Sequence, residues 1–139
     1  MRRTLAVAAT AATLLVVPLA GSAAATGCAA TSGPALYRYG TGSIAGRGTF
    51  GCDEAATGMT VTVCVEQSHD VQAETWTPLG CVTTTELEAV DEVSAVAEIG
   101  VPVYATWLRT STTGVNDTGA TATSVSLPVW WFNCACYIG

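Results

Sequence analysis

The clearest pattern in the chain is Thr60-Val61-Thr62-Val63-Cys64-Val65-Glu66, where valines alternate with polar positions and with Cys64. Period two predicts a strand with one buried and one solvent-facing side. Cys64 then belongs to the threonine face. Trp76 to Thr83 is a second strand, and Pro78 within it suits an edge position, because proline has no N–H for a ladder. Leu36 to Tyr39, Thr49 to Cys52, Val101 to Thr110, Ala120 to Leu127 and Val129 to Tyr137 read as further strands. Between them, Gly40 to Gly48 reads as a glycine-rich loop, Gln67 to Thr75 as a polar loop and Thr113 to Gly119 as a turn.

Residues 84–100 carry two competing patterns. Thr85-x-x-Glu88 matches a capping box, and Leu87, Val90 and Val93 recur at helical spacing. Val93, Ala95, Ala97 and Ile99 alternate as a strand does. The combined expectation is a short helix or turn followed by a strand. Short strands separated by frequent turns over this length predict an all-β fold, an antiparallel β-sandwich of immunoglobulin-like architecture. Cys64, Trp76 and Cys81 lack the spacing of an antibody domain, so that comparison concerns architecture alone.

The N-terminus changes the picture of where this domain resides. Met1-Arg2-Arg3 is followed by an Ala, Leu and Val stretch from Leu5 to Ala20, then by Gly21-Ser22-Ala23-Ala24-Ala25. A basic start, an apolar run and a small-x-small site make an export signal, cut after Ala25. Residues 1–25 are therefore read as signal peptide and 26–139 as one secreted domain. The run is diluted by alanine and broken by Pro18, which argues against a membrane anchor. Two variants fit the same residues: a twin-arginine signal at Arg2-Arg3, and a lipoprotein signal in which Cys28 is lipidated. The C-terminal apolar run, Pro128 to Ile138, is too short to span a bilayer.

All six cysteines, Cys28, Cys52, Cys64, Cys81, Cys134 and Cys136, lie beyond the signal. An even count in a short exported chain predicts a disulfide framework that supports a small core. Cys64 and Cys81 lie on segments that both read as strands, so they pair as hairpin neighbours. Cys28 and Cys52 either pair with each other or are pinned to Cys134 and Cys136. The spacing Cys134-x-Cys136 and a single distant histidine, His69, do not make a zinc site, and no cofactor is implied.

Charge excludes other functions. Without residues 1–25, three arginines face eleven acids, and the chain has no lysine. Such a protein offers nothing to a phosphate backbone or an anionic membrane, so nucleic acid is excluded as a partner. Catalysis finds little support either. His69 stands beside Asp70 in a polar loop, whereas a Ser-His-Asp site needs the imidazole held between two other groups. Glu86, Glu88, Asp91 and Glu92 form an acidic cluster that a small hydrolase would use as paired carboxyls, and that also fits a solvated face. Their spacing is not that of a calcium loop.

Aromatic residues give the functional hint. Trp130 and Phe132 share a face of the last strand with Cys134 and Cys136, while Trp131 and Tyr137 lie on the other. If the cysteine face is inside, Trp131 and Tyr137 are outside, able to stack on a sugar ring or anchor a protein. The alanine-rich signal, the Thr60–Val65 strand, the Trp76–Cys81 strand and Tyr104-x-x-Trp107 give the chain a layout that resembles small secreted β-sandwich proteins of actinobacteria. The order Cys28, Leu36-Tyr37-Arg38-Tyr39, Cys52, Thr60-Val61-Thr62-Val63 also resembles tendamistat-like α-amylase inhibitors. That resemblance implies Tyr37, Arg38 and Tyr39 as an enzyme-blocking triplet, its arginine meeting an acidic cleft. Tyr37 stands where that family has tryptophan, the span to Cys52 is longer, and two cysteines are extra. The sequence thus predicts a secreted, non-catalytic protein that binds an extracellular protein or carbohydrate. A hydrolase inhibitor and a small acidic-cluster hydrolase are the alternatives.

Overall fold

The computed structural model describes residues 22–24 and 27–132. Ten strands follow one another: β1 (Ser22–Ala24), β2 (Cys28–Ser32), β3 (Leu36–Arg38), β4 (Ser43–Ala56), β5 (Met59–Ser68), β6 (Thr77–Glu86), β7 (Val90–Gly100), β8 (Thr106–Val115), β9 (Thr121–Val125) and β10 (Val129–Trp131). They form two antiparallel sheets packed face to face. One sheet runs β1-β9-β8-β5-β6, with β10 also on β8. In the other, β4 carries β2 and β3 along one edge and β7 along the other. The β1 strand falls within the segment read as export signal.

The two sheets interrupt an edge in the same way. Gly33-Pro34-Ala35 separates β2 from β3, and Ser126-Leu127-Pro128 separates β9 from β10. A proline cannot donate to the ladder. The chain leaves its partner strand briefly and then rejoins it, held by Gly33 N to Arg47 O and Ser126 N to Thr110 O, each 2.8 Å.

The alternation of β5 appears as expected. Met59, Val61, Val63 and Val65 are fully buried, and Thr60, Thr62 and Cys64 face outward. The β6 strand is an edge, as Pro78 suggested, and its register slips beside Pro78. Cys64 lies directly opposite Cys81 and is bonded to it, and Cys28 is likewise opposite and bonded to Cys52. The alternative of pinning Cys28 and Cys52 to the C-terminal pair is thereby settled. Cys134 and Cys136 lie outside the described residues. Two disulfides indicate an oxidising environment.

Several segments differ from expectation. No helix forms between residues 84 and 100. Val93, Ala95 and Ala97 turn inward from β7, and the capping-box segment makes a turn instead, with Glu88 N donating to Glu86 Oε1 at 3.3 Å. Val101 to Ala105 is a connection, not the start of a strand, and Val103 and Tyr104 are exposed on it. The β8 strand begins at Thr106 and extends to Val115, through residues read as a turn.

The largest difference is at Gly40 to Gly48. Only Tyr39 to Gly42 is a turn, and β4 begins at Ser43. Gly46 and Gly48 occupy a central strand because of what lies across the sandwich. A Cβ on Gly46 would overlap Thr110 Oγ1, and one on Gly48 would overlap Thr112 Oγ1. Gly114 makes the converse space for the ring of Phe50. The core is thus filled by small-against-large pairs between sheets, as close packing requires.

Candidate functional site

The turn of the β3–β4 hairpin, Tyr39 to Gly42, is exposed at one end of the sandwich. It is closed by Arg38 O, which accepts from Gly42 N at 2.8 Å and Thr41 N at 3.3 Å. Gly42 has φ of 63°, the left-handed conformation that glycine adopts without steric cost. Tyr39 stands at the turn and is 92% exposed.

Strand alternation then sorts the triplet. Tyr37 pairs with the buried Ile44 and points between the sheets at their open end. Its ring stacks on Trp131 at 5.7 Å between centroids and meets the edge of Tyr39 at 5.0 Å. Three rings therefore form one ridge that joins the hairpin to the opposite sheet. Arg38 points to the outer face, where its guanidinium pairs with Glu98 of β7. That pair reaches across β4 over Ser43 and Ala45, side chains short enough to leave the path open. An exposed pair of this kind adds little stability, but it holds Arg38 in place beside the ridge.

Trp131 is not an outward residue. It pairs with the buried Thr106, while Val129 pairs with the buried Leu108, so the odd positions of β10 face the core. Trp131 and Tyr37 meet there and close the end of the sandwich. Exposure falls instead on Trp130 and Phe132. Tyr137, the other residue of the predicted outer pair, lies outside the described residues.

The sequence reading missed the outer face of the β5–β8 sheet. Trp130 pairs in register with Trp107, and their rings meet edge to face at 5.1 Å. Next to them, Arg109 lies over the Trp76 ring at 4.5 Å and donates from Nε to Glu66 Oε2 at 2.7 Å. Ser111 Oγ donates to the other oxygen of Glu66 at 2.8 Å. The missing signal was the face of β8. Inward Thr106, Thr110 and Thr112 reverse the usual hydrophobic pattern and place Trp107 outside.

The opposite end is acidic. Glu88, Asp91 and Glu92 are exposed there with Asp53, Glu54 and Asp117. A concavity of about 590 Å3 beside the Cys28–Cys52 bridge is lined by Asp53, Glu54, Asp117 and Asn116. Among the described residues, no group of three or more His, Cys, Asp or Glu has a metal-holding arrangement. His69 is exposed in the β5–β6 loop, and Asp70 is engaged in the turn, accepting from Gln72 N at 2.9 Å. No described helix is long and apolar enough to cross a membrane.

The fold and this site define a disulfide-bridged antiparallel β-sandwich with an aromatic end. No family model matches the chain, and neither a curated protein nor a solved structure matches it significantly.

Proposed function

We propose that this is a secreted, non-catalytic β-sandwich that binds an extracellular partner through the β3–β4 hairpin end. One observation carries the reading. Tyr39 and Tyr37 of the exposed hairpin form a continuous row of rings with Trp131 of the opposite sheet, with Arg38 beside it. Aromatic and arginine side chains dominate binding energy where they occur together. Tyr39 is 92% exposed and contributes nothing to the core, which leaves its ring free for contact with a partner. The export signal and the two disulfides support an extracellular setting.

A second reading rests on the same hairpin. Arg38 and Tyr39 are exposed side by side at its turn, with Tyr37 behind them, which suits a proteinaceous inhibitor of a secreted hydrolase such as an α-amylase. Calorimetric titration against purified secreted hydrolases tests the general reading. Binding that falls at least about tenfold in Tyr39→Ala supports it, that factor being about 1.4 kcal/mol. Binding indifferent to Tyr39→Ala contradicts it. Loss of α-amylase activity on titration, reversed in Arg38→Ala, selects the inhibitor. N-terminal sequencing of the exported chain is expected to begin near Thr26.

A further inference from the structure

We infer a second binding face, the outer surface of the β6-β5-β8-β9-β10 sheet, and assign it to a neutral polysaccharide. It goes beyond the hairpin reading, since β10 turns Trp131 inward to the hairpin and Trp130 outward to this face.

The face has two parts in register. At one end Trp130 is 47% exposed and is buttressed by Trp107. Away from it, hydroxyls form rows across four strands. Thr83, Thr62, Thr113 and Thr123 make one row, and the next holds Ser111 between the Cys64–Cys81 bridge and Val125. Thr62 and Thr83 hydrogen-bond to each other at 2.9 Å, which fixes that part of the row. Strands lie about 4.8 Å apart, and same-face residues along a strand about 6.8 Å apart. A glycan chain lying on this face therefore meets hydroxyls along the threonine row and, beyond the bridge and the Glu66–Arg109 pair, an aromatic ring to stack on.

Charge selects the ligand class. On the outward positions of these strands the charged groups are Glu66 and Arg109, and they neutralise each other. Seven of the chain's acids lie at the far end of the sandwich instead. A charged polymer finds no counterpart here. An uncharged polyol with apolar ring faces complements both the rows and Trp130.

Depletion of the purified protein by insoluble cellulose, chitin and starch granules is the test, at low salt and again at half-molar salt. The expected result is retention on at least one matrix, unchanged by salt and weakened at least about tenfold in Trp130→Ala. The double variant Thr62→Val/Thr113→Val keeps the strand shape and is expected to weaken retention severalfold, so a folding defect in Trp130→Ala does not decide the matter. Tyr39→Ala is expected to retain fully, which separates this face from the hairpin. No retention on any matrix, retention abolished by salt, or retention unaffected in both the tryptophan and threonine variants overturns the assignment.

Discussion

The two ends of the sandwich are built on opposite principles. At one end lie Asp53, Glu54, Glu86, Glu88, Asp91, Glu92 and Asp117, with no described arginine among them. That end is locked by the Cys28–Cys52 bridge. Asn116 braces the loop there, its Oδ1 accepting from Thr118 N, Thr118 Oγ1 and Ala120 N. At the other end Glu66 and Glu98 are each matched by an arginine, Asp70 and Glu74 stand exposed in the β5–β6 loop, and aromatic rings reach the surface. Unmatched like charge keeps a surface hydrated and apart from others. Fewer unmatched charges among exposed rings leave a surface whose apolar area is still uncovered. The comparison teaches that bracing and exposed aromatic area are separated in space: one end is braced and acidic, the other leaves its rings uncovered.

Substitutions sharpen or break that contrast. The largest stability effect is expected at the braced half. Phe50 is fully buried against Gly114, and Phe50→Ala should cost about 3–5 kcal/mol in denaturant unfolding. Removing the Cys28–Cys52 bridge by a double alanine substitution should cost about 3 kcal/mol, since it frees a loop with a sequence separation of 24. A loss equally large from Tyr39→Ala would break the contrast, because that side chain is expected to move stability by no more than about 0.5 kcal/mol.

A smaller effect probes the core between the two ends. The Thr110 hydroxyl is fully buried without a hydrogen-bond partner, facing the space left by Gly46. Thr110→Val removes an unsatisfied polar atom at nearly constant shape and should raise stability by about 1 kcal/mol. A decrease in the unfolding midpoint would show that the hydroxyl has a partner in solution.

Much of this architecture is legible in the chain, for identifiable reasons. The β5 alternation is legible because one face is uniformly valine. The Cys64–Cys81 pairing follows because both residues lie on adjacent strands of one hairpin. The edge position of β6 follows from the missing N–H of Pro78. What was not legible depends on contacts distant in sequence. Glycines usually signal a loop, and only Thr110 and Thr112 across the sandwich explain why Gly46 and Gly48 lie in β4. Threonine usually signals the outer face, yet three threonines of β8 are buried. Ser68 O accepts from Thr106 Oγ1, and Ser32 Oγ shares a hydrogen bond with Thr112 Oγ1. The same inversion reversed the reading of β10, turning Trp131 inward and Trp130 outward. The Tyr37-Arg38-Tyr39 triplet is singled out only through the resemblance to α-amylase inhibitors, and the stacking of Tyr37 on Trp131 depends on the packing of two sheets.

The central claim is that contact is made at the aromatic end and not at the acidic one. Its most direct measurement compares two double variants, Tyr39→Ala/Trp130→Ala and Glu54→Gln/Glu88→Gln, in the hydrolase titration and the polysaccharide depletion assay together. The account predicts at least about a tenfold loss in the first variant and unchanged binding in the second. Binding lost with the glutamates and kept without the rings would contradict it.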